Sequence, residues 1–182
     1  MSNQLLANKR GIIFGALDEQ SIAWHVAEKC VSQGAKITLT NAPVALRMGK
    51  IMELSEKLQA ELIGADATSV EDLENLLNKS TEILGGKIDF ILHSIGMSLN
   101  VRKGKHYTDS NYDFMQKTFD ISAISFHKLM QSALKLDSIA EGGSVVALTY
   151  IAAQRVFPDY GEMAESKALL ESFARSFGYH YG

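Results

Sequence analysis

Cysteine and proline are nearly missing from this chain. Cys30 is the one cysteine among 182 residues, and Pro43 and Pro158 are the only prolines. A lone cysteine excludes an intrachain disulfide, and its place inside an expected helix marks it as a packed thiol rather than a reactive one. The five histidines, His25, His93, His106, His127 and His180, include no pair three or four residues apart, so no metal site is expected. No apolar run approaches the roughly 20 residues that a membrane span needs. The opening Met-Ser-Asn-Gln-Leu-Leu-Ala-Asn-Lys-Arg leads straight into a strand and lacks the layout of a cleavable signal, which predicts a cytoplasmic protein without a membrane partner. A net charge of −3 argues against general affinity for nucleic acid. Repeats and linkers are absent as well. A single domain over residues 1–182 is expected, large enough to bury roughly 70% of the surface of its unfolded chain.

What is present alternates strand and helix throughout. Short apolar strands are expected at Gly11-Ile-Ile-Phe14, Lys36-Ile-Thr-Leu39, Glu61-Leu-Ile63, Ile88-Asp-Phe-Ile-Leu-His93 and Ser144-Val-Val-Ala-Leu-Thr149. Helices are expected over 21–32, after Pro43, over 69–84, over 111–136 and over 159–177, with glycines and polar segments between them. Thr68 with Glu71, or Ser69 with Asp72, can cap the third of these. Such repeated βαβ units predict an α/β fold: a doubly wound, Rossmann-like parallel sheet of five strands, covered on both faces and binding ligands at the carboxyl ends of its strands.

The chemistry-bearing residues gather at those ends. Gly15 allows a tight turn after the first strand, and Ser21 stands at a helix start where a hydroxyl and free N–H groups suit a phosphate, although a plain N-cap serves equally well. The second strand ends in Thr40-Asn41, without the acidic residue that often grips an adenosine ribose; Arg47 nearby is either a solvated helix residue or a partner for a 2′-phosphate. Asp66, after the third strand, can accept from an adenine amine or cap the next helix. His93-Ser94-Ile95-Gly96 ends the fourth strand, and Gly96 lets flat rings approach the backbone. Tyr150 follows the fifth. Tyr160 and Lys167 lie seven positions apart, about two helical turns, so both side chains leave one helix face along an apolar stripe of Met163, Ala164, Leu170, Ala174 and Phe177. A lysine within that stripe either snorkels to solvent or has work in the site. The basic cluster Arg102-Lys103-Gly104-Lys105-His106 is a solvated loop or an attractor for a phosphate or an acidic protein.

These segments, Gly15-x5-Ser21-Ile22-Ala23, Asp66, His93-Ser-Ile-Gly96 and above all Tyr150-x9-Tyr160-x6-Lys167, resemble enoyl-acyl-carrier-protein reductase of bacterial fatty-acid synthesis, a divergent branch of the short-chain dehydrogenase/reductases. Ordinary members of that superfamily place the lysine four residues after the tyrosine. The likeness runs from Lys9 to Gly182 and leaves the family's last strands, with the loop and helices that close over substrate and nicotinamide, without a counterpart. It implies reduction of trans-2-enoyl thioesters carried by acyl carrier protein, with NADH as cofactor and NADPH left open. It further implies that Tyr160 donates to the developing oxyanion and that Lys167 holds the nicotinamide ribose. Tyr150 and Ser98 would flank the substrate, while Gly15, Ser21, Ile22, Asp66, Ala67, Ser94, Ile95 and Gly96 would line the dinucleotide. The same likeness implies a homotetramer, with Phe119, Ile124 and Phe173 on the helix surfaces used for assembly or in the core. Beside it stand two rival expectations, a β-ketoacyl (carbonyl) reductase of the wider superfamily and a nucleotide-binding or oligomerising remnant without turnover.

Overall fold

The structure, a computed structural model, describes residues 4–182; Met1, Ser2 and Asn3, the first residues of the stretch that lacks a signal layout, lie outside the described residues. Five strands form, β1 (Arg10–Phe14), β2 (Lys36–Asn41), β3 (Glu61–Gly64), β4 (Ile88–His93) and β5 (Ile139–Ala147). They pair in the order β3-β2-β1-β4-β5, every neighbouring pair parallel. The wholly apolar β1 is explained by its central place. Ile12 and Phe14 face one helical layer, where Leu73, Leu76 and Leu77 of α4 (Val70–Leu84) and Leu129 of α7 (Ser125–Lys135) meet them. Ile13 faces the other, with Trp24 and Ala27 of α1 (Ile22–Ser32) and Leu54 of α3 (Ile51–Leu58). Because the chain steps outward from β1 to β3 and then returns to β4 beside β1, a crevice opens at the carboxyl ends of β1 and β4.

Several elements differ from expectation. β5 begins at Ile139 rather than Ser144, because Ile88 pairs with Ile139 and Phe90 with Ser144, so the Glu141-Gly142-Gly143 segment bulges out of the ladder. The helix after Pro43 is two, α2 (Pro43–Met48) and α3, parted where Gly49 turns extended and Lys50 N–H donates to the Leu17 carbonyl. Ser69, not Thr68, caps α4 by accepting from Asp72 N–H. A short helix, α5 (Leu99–Arg102), interrupts the loop after β4. The long helix is capped by Asn111 as its position suggests, but α6 (Tyr112–Phe119) passes into α7 through one π turn over Asp120–Ile124.

The largest shift concerns the last helix. α8 (Met163–Tyr181) starts four residues later than the sequence predicts, and Gly161, in the left-handed region at φ 52°, separates it from Tyr160. Tyr160 therefore stands in a turn before the helix, and Asp159, which its place before Tyr160 marks as the expected cap, does not flank the helix start; Glu162 does. The buried face of α8 runs through Met163, Ser166, Lys167 and Leu170 to half-buried Phe173 and Phe177, whereas Ala174 is exposed. Phe173 is engaged by His127 of α7, edge to face at 5.1 Å between ring centres.

Candidate active site

Ser94, Ile95, Gly96, Leu148, Thr149, Tyr150, Tyr160, Met163 and Lys167 line one cleft of about 280 Å³ at the carboxyl ends of β4 and β5. Six of these nine are candidate site residues of the sequence. A larger hollow of about 510 Å³ lies between Tyr107, residues 152–158 and the outer side of α8, but Tyr150, Tyr160 and Lys167 do not line it; they meet at the smaller cleft.

Lys167 is the centre of the arrangement. It does not snorkel: it is 6% exposed, and its ammonium donates to the carbonyls of Ile95 at 3.1 Å and Leu148 at 2.8 Å. These two bonds tie together the chain just beyond β4 and β5. The third N–H has no partner among the described residues and is available to a ligand. Burial lowers the Lys167 pKa to about 8, close to the pH at which its charge can be used or lost. Gly96 makes the approach possible, since a Cβ there would stand 3.3 Å from Met163 Cε and 3.6 Å from Lys167 Nζ.

Tyr160 packs against Tyr150 with ring centres 4.8 Å apart, and Tyr150 against Phe157 at 5.2 Å. Burial, and then the neighbouring Tyr150, push the Tyr160 phenol above its usual pKa. Lys167 does not draw it toward neutrality, because its ammonium is spent on the carbonyls of Ile95 and Leu148. Tyr160 thus keeps its proton at neutral pH and is a hydrogen-bond donor.

Around the crevice the remaining residues divide. Gly15 has φ 87°, and a Cβ there would lie 1.9 Å from the Ser94 carbonyl oxygen, so backbone meets backbone at the β1–β4 switch point. Ile22 opens α1, 62% exposed, where the first N–H groups of the helix have no intrahelical acceptor. Ala67 and Ile95 pack against the same core cluster. The Ser21 hydroxyl makes no cap bond to α1; it accepts from Leu17 and Asp18 N–H and donates to the Asp18 carbonyl, closing the turn that precedes the helix. Asp66 uses Oδ1 on the N–H and hydroxyl of Thr68 and caps nothing; the adenine role is left to its other oxygen. Ser98 is 4% exposed, caps α5 through Val101 N–H, and donates to Glu162 Oε1 at 2.6 Å, so its hydroxyl is engaged within the chain. Arg47 is exposed, as are the residues of 103–106, where Lys103 lies over the Phe114 ring at 4.7 Å.

Sequence reasoning missed two buried groups beside the cleft. His93 is 1% exposed, and its Nε2 lies 2.9 Å from Ser125 Oγ. Ser125 gives its own proton to the Ile121 carbonyl, so the imidazole must donate from Nε2 and carry a bare Nδ1. Burial, with Lys167 adding to it, lowers the His93 pKa to about 3. The other is Glu162, which at an expected helix start passes for a capping-box residue. Among the described residues no group of three or more His, Cys, Asp and Glu side chains could hold a metal ion, and no helix is long and apolar enough to cross a membrane.

The family model described as enoyl-(acyl carrier protein) reductase matches residues 15–182. The chain belongs to that family. It is 34% identical over 182 residues to enoyl-[acyl-carrier-protein] reductase [NADH] 2 of Rhizobium meliloti, covering 99% of this chain and 66% of that protein. To the [NADH] 1 form of the same organism it is also 34% identical, covering 94% and 62%. The chain thus spans somewhat less than two thirds of the length of these relatives. Among solved structures, the complex of FabI with NADH from Alistipes finegoldii superposes with a TM-score of 0.97 at 62% identity, covering 98% of this chain and 63% of that one. The enoyl-[acyl-carrier-protein] reductase (NADH) of Aquifex aeolicus superposes at 0.86 with 29% identity, covering 96% and 68%.

Proposed function

We propose that residues 1–182 are a single dinucleotide-binding unit carrying the catalytic residues of an NADH-dependent enoyl-acyl-carrier-protein reductase in fatty-acid elongation. The observation that carries this is the meeting of Tyr150, Tyr160 and Lys167 in one cleft, with Lys167 held so that one N–H remains for a ligand. Relatives named for NADH and for enoyl-acyl-carrier-protein reduction support the same reading.

The chain's residues fit such a nucleotide. Gly15 and Gly96 leave the space that a Cβ would fill, the start of α1 offers N–H groups to a phosphate, and the free N–H of Lys167 suits a ribose hydroxyl. When bound, the reduced nicotinamide supplies a hydride to the β-carbon of the enoyl thioester. Negative charge then develops on the thioester oxygen, and Tyr160, protonated at neutral pH, stabilises it as a positioned donor; such a donor is worth about 10²- to 10³-fold in rate. Tyr150 holds the Tyr160 ring from the side and borders the acyl group. Acyl carrier protein is the partner that presents the thioester, and the outer faces of α6, α7 and α8 are the surfaces for a homotetramer in the cytoplasm.

Fluorescence titration with NADH, followed by crotonyl-thioester-dependent NADH oxidation, tests the proposal on this chain. Tyr160→Phe should retain NADH binding and lose at least about 10²-fold in turnover; unchanged turnover would refute its role. A chain that binds NADH without turnover would be a nucleotide-binding unit only. Turnover of β-ketoacyl thioesters instead would point to a carbonyl reductase.

A further inference from the structure

Glu162 has no solvent exposure. Its Oε1 accepts from the hydroxyls of Ser98 at 2.6 Å and Thr118 at 2.8 Å, while Oε2 is buried with no partner among the described residues. Burial works against its charge, but hydrogen bonding from the Ser98 and Thr118 hydroxyls, the backbone N–H and the Asn100 amide together holds the carboxyl below the ordinary range. A buried charge is a poor stabiliser, since an apolar side chain would fill the same space with less desolvation. Its placement suggests a different use. Glu162 lies two residues beyond Tyr160 and one before α8, so it anchors the backbone of the turn that carries the phenol. Ser98 closes the loop whose Ser94, Ile95 and Gly96 line the cleft, and Met97 in that loop is itself held by Ser122 Oγ at 3.0 Å. Thr118 belongs to α6. The carboxylate therefore joins three elements at the foot of the Tyr160 turn. Apart from the Tyr150 ring against Tyr160, the turn has few other holds: residues 154–159 are exposed, and Tyr160 N–H reaches the Phe157 carbonyl at 3.2 Å. Lys167 has its own two bonds, to Ile95 and Leu148, and does not depend on this clamp.

We infer that Glu162 is a positioning residue: its buried carboxylate clamps the turn that carries Tyr160 onto the 94–98 loop and α6, and so places the phenol over the cleft. The catalytic use of that phenol rests on the function proposed above, but the placement does not. Glu162→Gln preserves it, because an amide oxygen in the place of Oε1 accepts from both the Ser98 and the Thr118 hydroxyls. Glu162→Ala removes it.

The deciding measurement is the ionisation of Tyr160 followed by NMR of ¹³C-labelled tyrosine, its signal assigned with Tyr160→Phe. In the unaltered protein and in Glu162→Gln it should titrate above the ordinary phenol value; in Glu162→Ala it should return toward about 10 as the turn opens to water. An unchanged Tyr160 titration in Glu162→Ala overturns the inference. Should that variant not fold, Ser98→Ala removes one donor and should show the same shift at smaller size, and no shift there overturns it equally. Turnover is read in parallel: kcat should fall roughly 10²-fold in Glu162→Ala while NADH affinity holds, and Glu162→Gln should restore it. A proportional loss of both also overturns the inference, being what a merely unfolding variant would give. If the unaltered protein shows no turnover, the functional reading fails, and the tyrosine titration still decides the clamp.

Discussion

The ammonium of Lys167 donates to the Leu148 carbonyl at 2.8 Å, one residue beyond the end of β5 and nineteen before the lysine itself. That bond, with its companion to Ile95, locks the last helix against two strand ends and leaves one N–H for the cleft. Lys167→Met keeps the apolar stem and removes all three donors. NADH affinity should fall by about 10- to 100-fold, the usual worth of a hydrogen bond from a charged group. Thermal stability should change much less, because relief of a desolvated cation offsets two unpaired carbonyls. A fluorescence titration beside a thermal melt reads both; a variant that binds NADH normally would remove Lys167 from the site.

The lowered pKa of Lys167, about 8, sets a pH dependence. Below it the ammonium has a proton to offer a ribose hydroxyl, and above it both remaining N–H groups are taken by carbonyls. NADH affinity should therefore weaken as pH rises from 7 through about 8 to 9, and Lys167→Met should lack this dependence. Folding stability moves the other way. Between about 8 and the ordinary 10.5 the unfolded lysine binds a proton that the folded one has released, so this group adds stability as pH rises.

His93 makes the opposite end of the pH range informative. Its folded pKa is lowered from 6.5 to about 3, so the stability it permits is complete above 6.5 and is lost as pH falls toward 3. In that window one such group contributes a slope of up to about 1.4 kcal/mol per pH unit. Urea unfolding of His93→Gln, which keeps a donor for Ser125, should show a shallower acid dependence between pH 6 and 4 by about that amount. An unchanged slope would mean that other groups carry the acid response.

Gly15 cannot accept a side chain. At φ 87°, with the Ser94 carbonyl oxygen 1.9 Å from where a methyl carbon would sit, Gly15→Ala carries both a left-handed backbone penalty and a backbone clash. The first alone costs about 1–2 kcal/mol, and the total should exceed it and weaken NADH binding as β1 and β4 part. Equal denaturation midpoints for the two proteins would sink this account.

The strand-helix alternation was legible because each element carries its own periodicity. β1 is apolar throughout since both its faces are covered, and α4 is framed by Ser69 and Gly85. The π turn that aims Ser122 and Ser125 at the end of β4 was not, since nothing local in Asp120-Ile-Ser-Ala-Ile124 departs from a helical pattern. Ser21 and Ser98 were expected to meet ligands because hydroxyls at strand ends suit them, yet both hydroxyls are used within the chain.

By itself the sequence determined the order of elements, the parallel sheet, and the family membership carried by Tyr150, Tyr160 and Lys167, because those depend on spacing along the chain. Only the tertiary structure decided what each polar group bonds. Glu162 passes for a capping-box residue until Ser98 and Thr118 close on it, and Lys167 can snorkel or serve the site until the carbonyls of Ile95 and Leu148 are seen to hold it. The reason is physical: a buried charge is set by partners tens of residues away, and these come within reach only once the sheet has brought the ends of β4 and β5 together.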